Sequence, residues 1–226
     1  MLIRYTTVLL EPLGPVHVAW TEAGLARLTA NGNEESFRAG LVGHYGPSFV
    51  IRDDARQAEW QGLLTDWLAG REPVIGLDLA GVSPFERKVL AKTQAIPRGE
   101  VRPYQWLARE AGSPGAVRAV GSAMRKNPIP LLVPCHRVVT ATGALGNYSM
   151  GGPDVKRRLL AAEGAAVAHL EDLADRGCRY LGDAAGGTFC YPSCRAATPG
   201  PDRLKLKTAR EAEAAGLKPC PHCRPV

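Results

Sequence analysis

Residues 129–139 read IPLLVPCHRVV and set one cysteine, Cys135, beside one histidine, His136, inside an apolar run. Pro130 and Pro134 restrict the backbone ahead of the cysteine. The thiolate is the nucleophilic form of cysteine, and a neighbouring base or cation lowers the ordinary thiol pKa of about 8.5. The pair therefore indicates a candidate nucleophile. A buried cysteine that only packs beside a histidine is the alternative.

Further outward, residues 118–148 read RAVGSAMRKNPIPLLVPCHRVVTATGALGNY. The PCHRV core, with RAVG and Asn-Pro upstream, closely resembles the active-site segment of the O6-alkylguanine-DNA alkyltransferases, or methylated-DNA–protein-cysteine methyltransferases. The resemblance covers residues 80–165 well and residues 1–75 loosely. It implies transfer of an alkyl group from O6 of guanine in double-stranded DNA to a cysteine, with O4-alkylthymine as a second candidate substrate. Such a protein needs no cofactor for the transfer and is spent after one turnover.

The resemblance also implies a role for each matching residue. Cys135 would accept the alkyl group, His136 would act through a water molecule as its base, and Glu163 would orient and charge-balance His136. Tyr104 would supply a proton toward the guanine ring as it leaves. Asn127 would tie the turn before the nucleophile.

A pocket for the flipped-out base is implied by the same resemblance. Ser149 matches a residue that bonds near O6, and Tyr148 belongs to a pocket wall. The backbone of Cys135 and Val138 would bond the amino group of the base. Met150 is a one-residue insertion relative to the family pattern, and it bears on the Ser149 assignment and on the range of alkyl groups accepted.

A helix-turn-helix pattern precedes the cysteine. Ser83 and Glu86 form a capping box at the start of one predicted helix. A second helix starts at Pro103, is broken at residues 112–114, and is followed by a third over residues 115–124. These helices predict a mainly helical, winged-helix-like domain around Cys135.

The third predicted helix carries small residues, Ala119, Gly121 and Ser122, which offer little to read base edges but allow close approach. In the resembling family this helix lies in the minor groove. Arg118 matches an arginine that enters the base stack, and Arg125 joins it among the predicted DNA contacts. From the residues alone, the favoured interpretation of Arg118 is a surface arginine on a helix.

Charge and composition fit a DNA-binding protein. The net charge is +6, with −3 on residues 1–76, +7 on residues 77–165 and +2 on residues 166–226. The positive charge thus surrounds Cys135, as a polyanionic partner requires, although a solvated basic surface gives the same pattern. Hydrophobic content of 45% supports a packed core. The absence of a membrane-length apolar run and of a secretory signal predicts a cytoplasmic protein, expected to be a monomer.

Four of the six cysteines lie in two close pairs, Cys190-x3-Cys194 and Cys220-x2-Cys223. This spacing predicts a tetrahedral zinc site, because cytoplasmic cysteines are kept reduced. Residues 179–226, the four-cysteine module, hold little apolar sequence and are expected to need Zn²⁺ to fold.

The words FCYPSCRA and AAGLKPCPHCRP resemble the zinc-binding domain of Ada. In that domain the cysteine that matches Cys190 accepts a methyl group from a DNA methylphosphotriester. A structural zinc finger that only assists DNA binding remains the alternative for this module.

The predicted organisation is an α/β support domain over residues 1–76, the catalytic domain over 77–165, a linker over 166–178, and the four-cysteine module, an α+β fold. Strands are predicted at residues 5–10, 16–19 and 24–28, and a helix over residues 55–68. Two rival functions remain: a sensor that flips alkylated guanine without accepting the group, and a Cys-His hydrolase.

Overall fold

A computed structural model describes residues 2–30, 32–197, 200 and 203–226. Its N-terminal part is a four-stranded sheet with the order β3-β2-β1-β4, in which β4 is parallel to β1 and the other pairs are antiparallel. The elements of this part are β1 (Ile3–Leu10), β2 (Gly14–Thr21), β3 (Gly24–Ala30), α1 (Glu34–Tyr45), β4 (Val50–Arg52) and α2 (Gln57–Leu68). The three predicted strands and the predicted helix are confirmed, each with slightly different ends.

Helix α2 covers one face of this sheet. Trp60 on α2 meets Trp20 on β2 with ring centroids 5.4 Å apart. Helix α1 was not predicted, because only Phe37 and Leu41 along it are buried, which leaves a weak apolar pattern. Its start is nevertheless well specified, since the Asn33 side chain accepts a hydrogen bond from the Ser36 N–H at 2.7 Å.

The middle of the chain is mainly helical, as predicted. The Ser83–Glu86 capping box is present at the start of its first helix. The helices of this part are α3 (Pro84–Gln94), α4 (Tyr104–Glu110), α5 (Val117–Arg125) and α6 (Gly152–Ala162). Helices α3, α4 and α5 pack against one another and bury Leu107, Val120 and Met124 in the main core.

A short parallel pair of strands joins this helical part to the cysteine. Strand β5 (Arg102–Pro103) pairs with β6 (Val138–Val139), with Arg102 opposite Val138. One turn of 3-10 helix, Cys135–Arg137, directly precedes β6. The acceptor candidate therefore sits between the core of the helical part and a small two-stranded sheet.

The segment predicted as a linker, residues 166–178, holds a helix, α7 (Val167–Asp175). Leu170 and Leu173 on α7 are buried, so most of this segment packs against the protein as a helix, where an extended linker was expected. The acidic, alanine-rich composition did not predict this helix, because only two of its residues are buried and the apolar pattern is therefore weak.

The four-cysteine module is an α+β unit, as predicted. Its sheet has the order β10-β8-β7-β9. The elements are β7 (Tyr180–Asp183), β8 (Thr188–Cys190), β9 (Leu204–Leu206), α8 (Ala209–Ala214) and β10 (Lys218–Pro219). Among the described residues, every helix is too short or too polar to cross a membrane.

Candidate active site and zinc centre

The backbone ahead of Cys135 is held by Asn127. The Asn127 side-chain amide donates to the Val133 carbonyl at 2.9 Å, and its oxygen accepts from the Ile129 N–H at 3.1 Å. Between these contacts, Leu131 has a φ of 79°, which side chains other than glycine rarely adopt. Asn127 thus bridges both sides of a strained turn ahead of Cys135.

Behind the cysteine, His136 contacts Glu163. The Nε2 of His136 lies 2.8 Å from Oε1 of Glu163, and both side chains are almost fully buried. The other ring nitrogen, Nδ1, is buried without a hydrogen-bond partner among the described residues. The structure therefore brings together His136 and Glu163, two of the three residues expected to form the triad, and Cys135 directly precedes His136 in the chain.

Arg137 is a member of this cluster that the sequence analysis missed. Its Nε and Nη2 donate to the two carboxylate oxygens of Glu163 at 2.9 and 2.8 Å. Its Nη1 donates to the Ile96 carbonyl at 2.7 Å. The neighbouring Gly99 has no room for a side chain, because an added Cβ would lie 2.8 Å from the Glu163 carbonyl oxygen. PCHRV contained the arginine, but only the fold reveals its partner.

The protonation states follow from burial and these contacts. Burial opposes ionisation of Glu163, but hydrogen bonds from His136 and Arg137 outweigh it and lower the Glu163 pKa to about 2. Burial lowers the pKa of His136, against the opposing effect of Glu163. Burial raises the pKa of Cys135. At neutral pH the cluster therefore holds a thiol, a neutral imidazole and a carboxylate.

The candidate acceptor pocket has a volume of about 480 Å³. Cys135 lines it together with Tyr104, Tyr148, Ser149, Gly121 and Arg125. Burial raises the pKa of Tyr104, with Cys135 adding to the rise, so this phenol keeps its proton. Five of the predicted functional residues thus share one pocket with the candidate nucleophile.

Lys156 is a second residue that the sequence analysis missed. Its side chain is buried, and its Nζ donates to the carbonyls of Val138 and Leu145. Burial lowers the Lys156 pKa to about 8, against the opposing effect of Cys135. Because the Val138 carbonyl already accepts from Lys156, only its second lone pair is free for the expected contact with a base.

Met150 lies inside the protein. It is 2% exposed, and the Tyr148 hydroxyl donates to its sulfur at 3.6 Å. Gly151 and Gly152 follow with φ values of 121° and 75°, so the backbone absorbs the extra residue in a glycine turn. Ser149 stays exposed and on the pocket wall despite the insertion.

Helix α5 presents the predicted DNA contacts. Arg118, Ala119 and Arg125 are exposed, while Gly121 and Ser122 are half-buried. The opposite face, with Val120 and others, is packed into the core. The small residues therefore form the outer surface of a firmly anchored helix.

The four cysteines of the module converge on one point. Their sulfur atoms all lie within 4.8 Å of one another. A tetrahedral zinc ion with Zn–S bonds of about 2.3 Å needs sulfurs roughly 3.8 Å apart, so the donor set fits Zn²⁺. The Tyr191 N–H points to the Cys223 sulfur at 3.5 Å, a contact that favours a thiolate. The residues that would hold the metal are Cys190, Cys194, Cys220 and Cys223.

Two family models match the chain. Residues 84–165 match the DNA-binding domain of 6-O-methylguanine DNA methyltransferase, and residues 166–226 match the metal-binding domain of Ada. The second match begins ahead of α7, the helix that replaces the expected linker.

Relatives and solved structures agree with these matches. The methylated-DNA–protein-cysteine methyltransferase of Rattus norvegicus is 35% identical over 206 residues, covering 86% of this chain and 95% of the relative. The human protein of that name is 39% identical over 166 residues, covering 70% and 79%. A crystal structure of Mycobacterium tuberculosis OGT in complex with DNA is 32% identical, with a TM-score of 0.58, and covers 76% of this chain and all of that one. This chain belongs to the methylated-DNA–protein-cysteine methyltransferase family.

Proposed function

We propose that this protein repairs double-stranded DNA by moving an alkyl group from O6 of guanine to the sulfur of Cys135. The observation that carries the proposal is the shared pocket, which Cys135 lines with Tyr104, Tyr148 and Ser149. The next residue along the chain, His136, contacts Glu163. The S–C bond forms as the C–O6 bond breaks. Because the product is a thioether, the protein acts once.

The protonation states support a defined route for the proton. The Cys135 thiol must lose its proton as sulfur attacks, and the neutral His136 can accept it through a water molecule at Nδ1. Glu163 stays ionised and stabilises the imidazolium that forms. Tyr104, whose pKa is raised, donates a proton toward the departing guanine.

DNA approaches through α5 in this proposal. The exposed Ala119 and the half-buried Gly121 and Ser122 allow the helix to lie close to the minor groove, and Arg125 reaches the backbone. Arg118 enters the stack where the target nucleotide leaves it, which lets the base turn into the pocket. The excess of basic residues over residues 77–165 supplies the attraction to phosphate.

Mass spectrometry tests the reaction directly. Zinc-loaded protein is mixed with duplex DNA that carries O6-methylguanine, and peptides are mapped. One methyl per chain on Cys135 is the expected result. An unmodified Cys135 together with tight binding of the lesion would instead identify a damage sensor, and repeated turnover of an ester or amide would identify a hydrolase.

For the four-cysteine module we propose a structural role. All four sulfurs belong to buried residues, and Cys190 is only 3% exposed. An attacking thiolate must reach the methyl group of a phosphotriester from outside. Cys135, although also buried, lines a pocket of about 480 Å³ that can receive its electrophile, whereas the Cys190 sulfur lies within 4.8 Å of three other sulfurs that would share its metal ion. Transfer of a methyl group to Cys190 from methylphosphotriester DNA, seen by peptide mapping, would overturn the structural role.

We also propose the cytoplasm as the location, since six unpaired cysteines suit a reducing compartment. The proposed units are residues 1–76, 77–165 and 179–226. Helix α7 belongs with the last unit or forms its bridge to the catalytic domain, and limited proteolysis on either side of α7 distinguishes these arrangements.

A further inference from the structure

Glu100 lies outside the four-cysteine module in sequence but contacts it, and its exposed fraction is 3%. One of its carboxylate oxygens, Oε1, accepts from the Arg195 N–H at 3.2 Å and from Nε2 of His222 at 3.0 Å. The other, Oε2, pairs with Arg102. Both Arg195 and His222 adjoin predicted zinc ligands. The module therefore supplies two of the groups that compensate a carboxylate buried outside it.

Two further residues of the module, Ser193 through its side chain and Cys223 through its carbonyl, form hydrogen bonds with the same segment. The Ser193 hydroxyl accepts from the Val101 N–H at 2.8 Å and donates to the Val101 carbonyl at 3.2 Å. The Trp106 indole N–H donates to the carbonyl of Cys223, a predicted zinc ligand, at 2.9 Å. The Trp106 hydrogen bond is buried and the two Ser193 hydrogen bonds are partly buried, so loss of the Cys223 acceptor would leave a costly unpaired donor at Trp106.

The Arg102 side chain lies between helix α4 and the four-cysteine module. Its guanidinium lies 5.7 Å from the ring centroid of Trp106 and 5.7 Å from that of Tyr191, so it contacts one aromatic ring from each side. Arg102 is 1% exposed. A fully buried cation that is paired with Glu100 and held between two rings requires both surfaces to stay together.

The segment that carries these contacts, residues 100–106, also extends to the acceptor pocket. Arg102 and Pro103 form β5, whose partner β6 starts immediately after the 3-10 turn of Cys135. Tyr104 is the next residue along and lines the pocket with Cys135. The contacts to the module therefore flank Tyr104 on both sides, at Arg102 and at Trp106.

We infer that the four-cysteine module is a zinc-dependent clamp on residues 100–106, with Arg102 and Trp106 acting as positioning residues for Tyr104. Zinc fixes the loops that carry Ser193, His222 and the Cys223 carbonyl. Those loops hold β5 and the start of α4. Zinc occupancy thereby sets the order of the acceptor pocket without zinc touching the DNA base.

Hydrogen exchange on the full chain, with and without zinc, tests the clamp. We expect exchange in residues 100–110 to rise about tenfold when zinc is removed, since buried hydrogen bonds across the contact are lost. Residues 3–21, in the N-terminal sheet, should be unchanged. Rapid exchange confined to residues 180–223 after zinc removal would overturn the inference.

A matched pair of variants keeps the test informative if removing zinc unfolds more of the chain. Trp106→Phe deletes the N–H that reaches Cys223, whereas Trp60→Phe deletes a buried N–H that has no partner among the described residues. Because the loop that carries Cys223 is then held less firmly, Trp106→Phe should release zinc to a chelator about fivefold faster than wild type, and Trp60→Phe should match wild type. Equal release from both variants would refute the coupling.

The effect on Tyr104 is read from the single-turnover rate with O6-methylguanine DNA. Trp106→Phe should lower the rate at saturating DNA while leaving DNA affinity unchanged, and an unchanged rate would remove the positioning role. Only this arm rests on the proposed function. If wild type also fails to react, exchange and zinc release still decide whether the clamp exists.

Discussion

The chain uses cysteine in two opposite ways. Cys135 is a single buried thiol whose pKa burial raises, with a neutral imidazole beside it in sequence. The four sulfurs of the module lie within 4.8 Å of one another, a density at which thiols must share a metal ion or stay protonated. Burial is common to both sites, so burial does not decide the chemistry.

The number of neighbouring sulfurs decides it instead. A lone thiol in a pocket keeps its proton until an electrophile and a base are both in place, which protects it from unwanted reaction. Four clustered sulfurs are held as thiolates by a cation and serve folding. Cys178 is a useful third case, since it is a lone buried thiol outside either cluster.

The largest expected effect follows from replacing the acceptor. Cys135→Ser should abolish methyl transfer completely and leave one zinc ion per chain, because the two sites share no ligand. Peptide mapping and metal analysis measure both quantities. Cys178→Ser is the matched control and should transfer at the wild-type rate. Residual transfer in Cys135→Ser would show that another cysteine is the acceptor.

Removal of one ligand should break the other site. Cys220→Ser should weaken zinc binding by about 100-fold or more and lower the melting temperature of the module, since metal binding contributes its folding energy. Competition with a chromophoric chelator gives the affinity. Wild-type affinity in this variant would contradict the four-thiolate site.

Glu163→Gln should destabilise the protein by about 3 kcal/mol, because it leaves the buried Arg137 without a counter-charge. It should also slow transfer by about 100-fold through loss of support for His136. Chemical denaturation and single-turnover kinetics measure the two effects. The control Glu171→Gln breaks an exposed pair with Arg157 and should change stability by less than about 1 kcal/mol.

The same carboxylate predicts a pH dependence. The Glu163 pKa is lowered from 4.5 to about 2, so its stabilisation is complete above about pH 4.5 and is lost as the pH falls toward 2. Glu163→Gln should lack this part of the acid transition. Because the His136 pKa is also lowered, the transfer rate should persist below the usual histidine range. A rate that halves near pH 6.5 would contradict a buried neutral base.

A smaller effect is expected on the DNA surface. Arg118→Ala should reduce the transfer rate on duplex DNA about tenfold, more than it reduces affinity, if the side chain supports the flipped-out state. Lys88→Ala removes one exposed positive charge from α3 and serves as the control for charge alone. Equal losses in the two variants would reduce Arg118 to a phosphate contact.

Local signals in the sequence were sufficient for much of the fold. The Ser83–Glu86 capping box and the apolar spacing of α2 act within a few residues, so both were predicted. The residues around Cys135 were found through a family resemblance rather than through spacing. Helix α7 was taken for a linker because its sequence is acidic and rich in alanine, and the residues that bury Leu170, such as Val101 and Val139, lie far away in the sequence.

The sequence could not show which distant groups compensate the buried charged side chains. Nothing near Lys156 in the sequence marks the carbonyls of Val138 and Leu145 as its acceptors. Arg137 likewise pairs with a residue 26 positions away. A charged side chain reads as exposed by default, and only the three-dimensional packing shows which ones are buried.

The indole of Trp106 has a practical consequence for anyone who divides this protein. The residues of the acceptor site precede residue 165 and the four clustered cysteines follow it, so expression of the first part alone is an obvious experiment. The truncated chain would present Trp106 and the Arg102–Glu100 pair to solvent without the surface that covers them. The separate sequence motifs therefore do not mark separately stable parts of this protein. A version that ends near residue 165 needs the surface around Trp106 redesigned before its properties are compared with those of the whole protein.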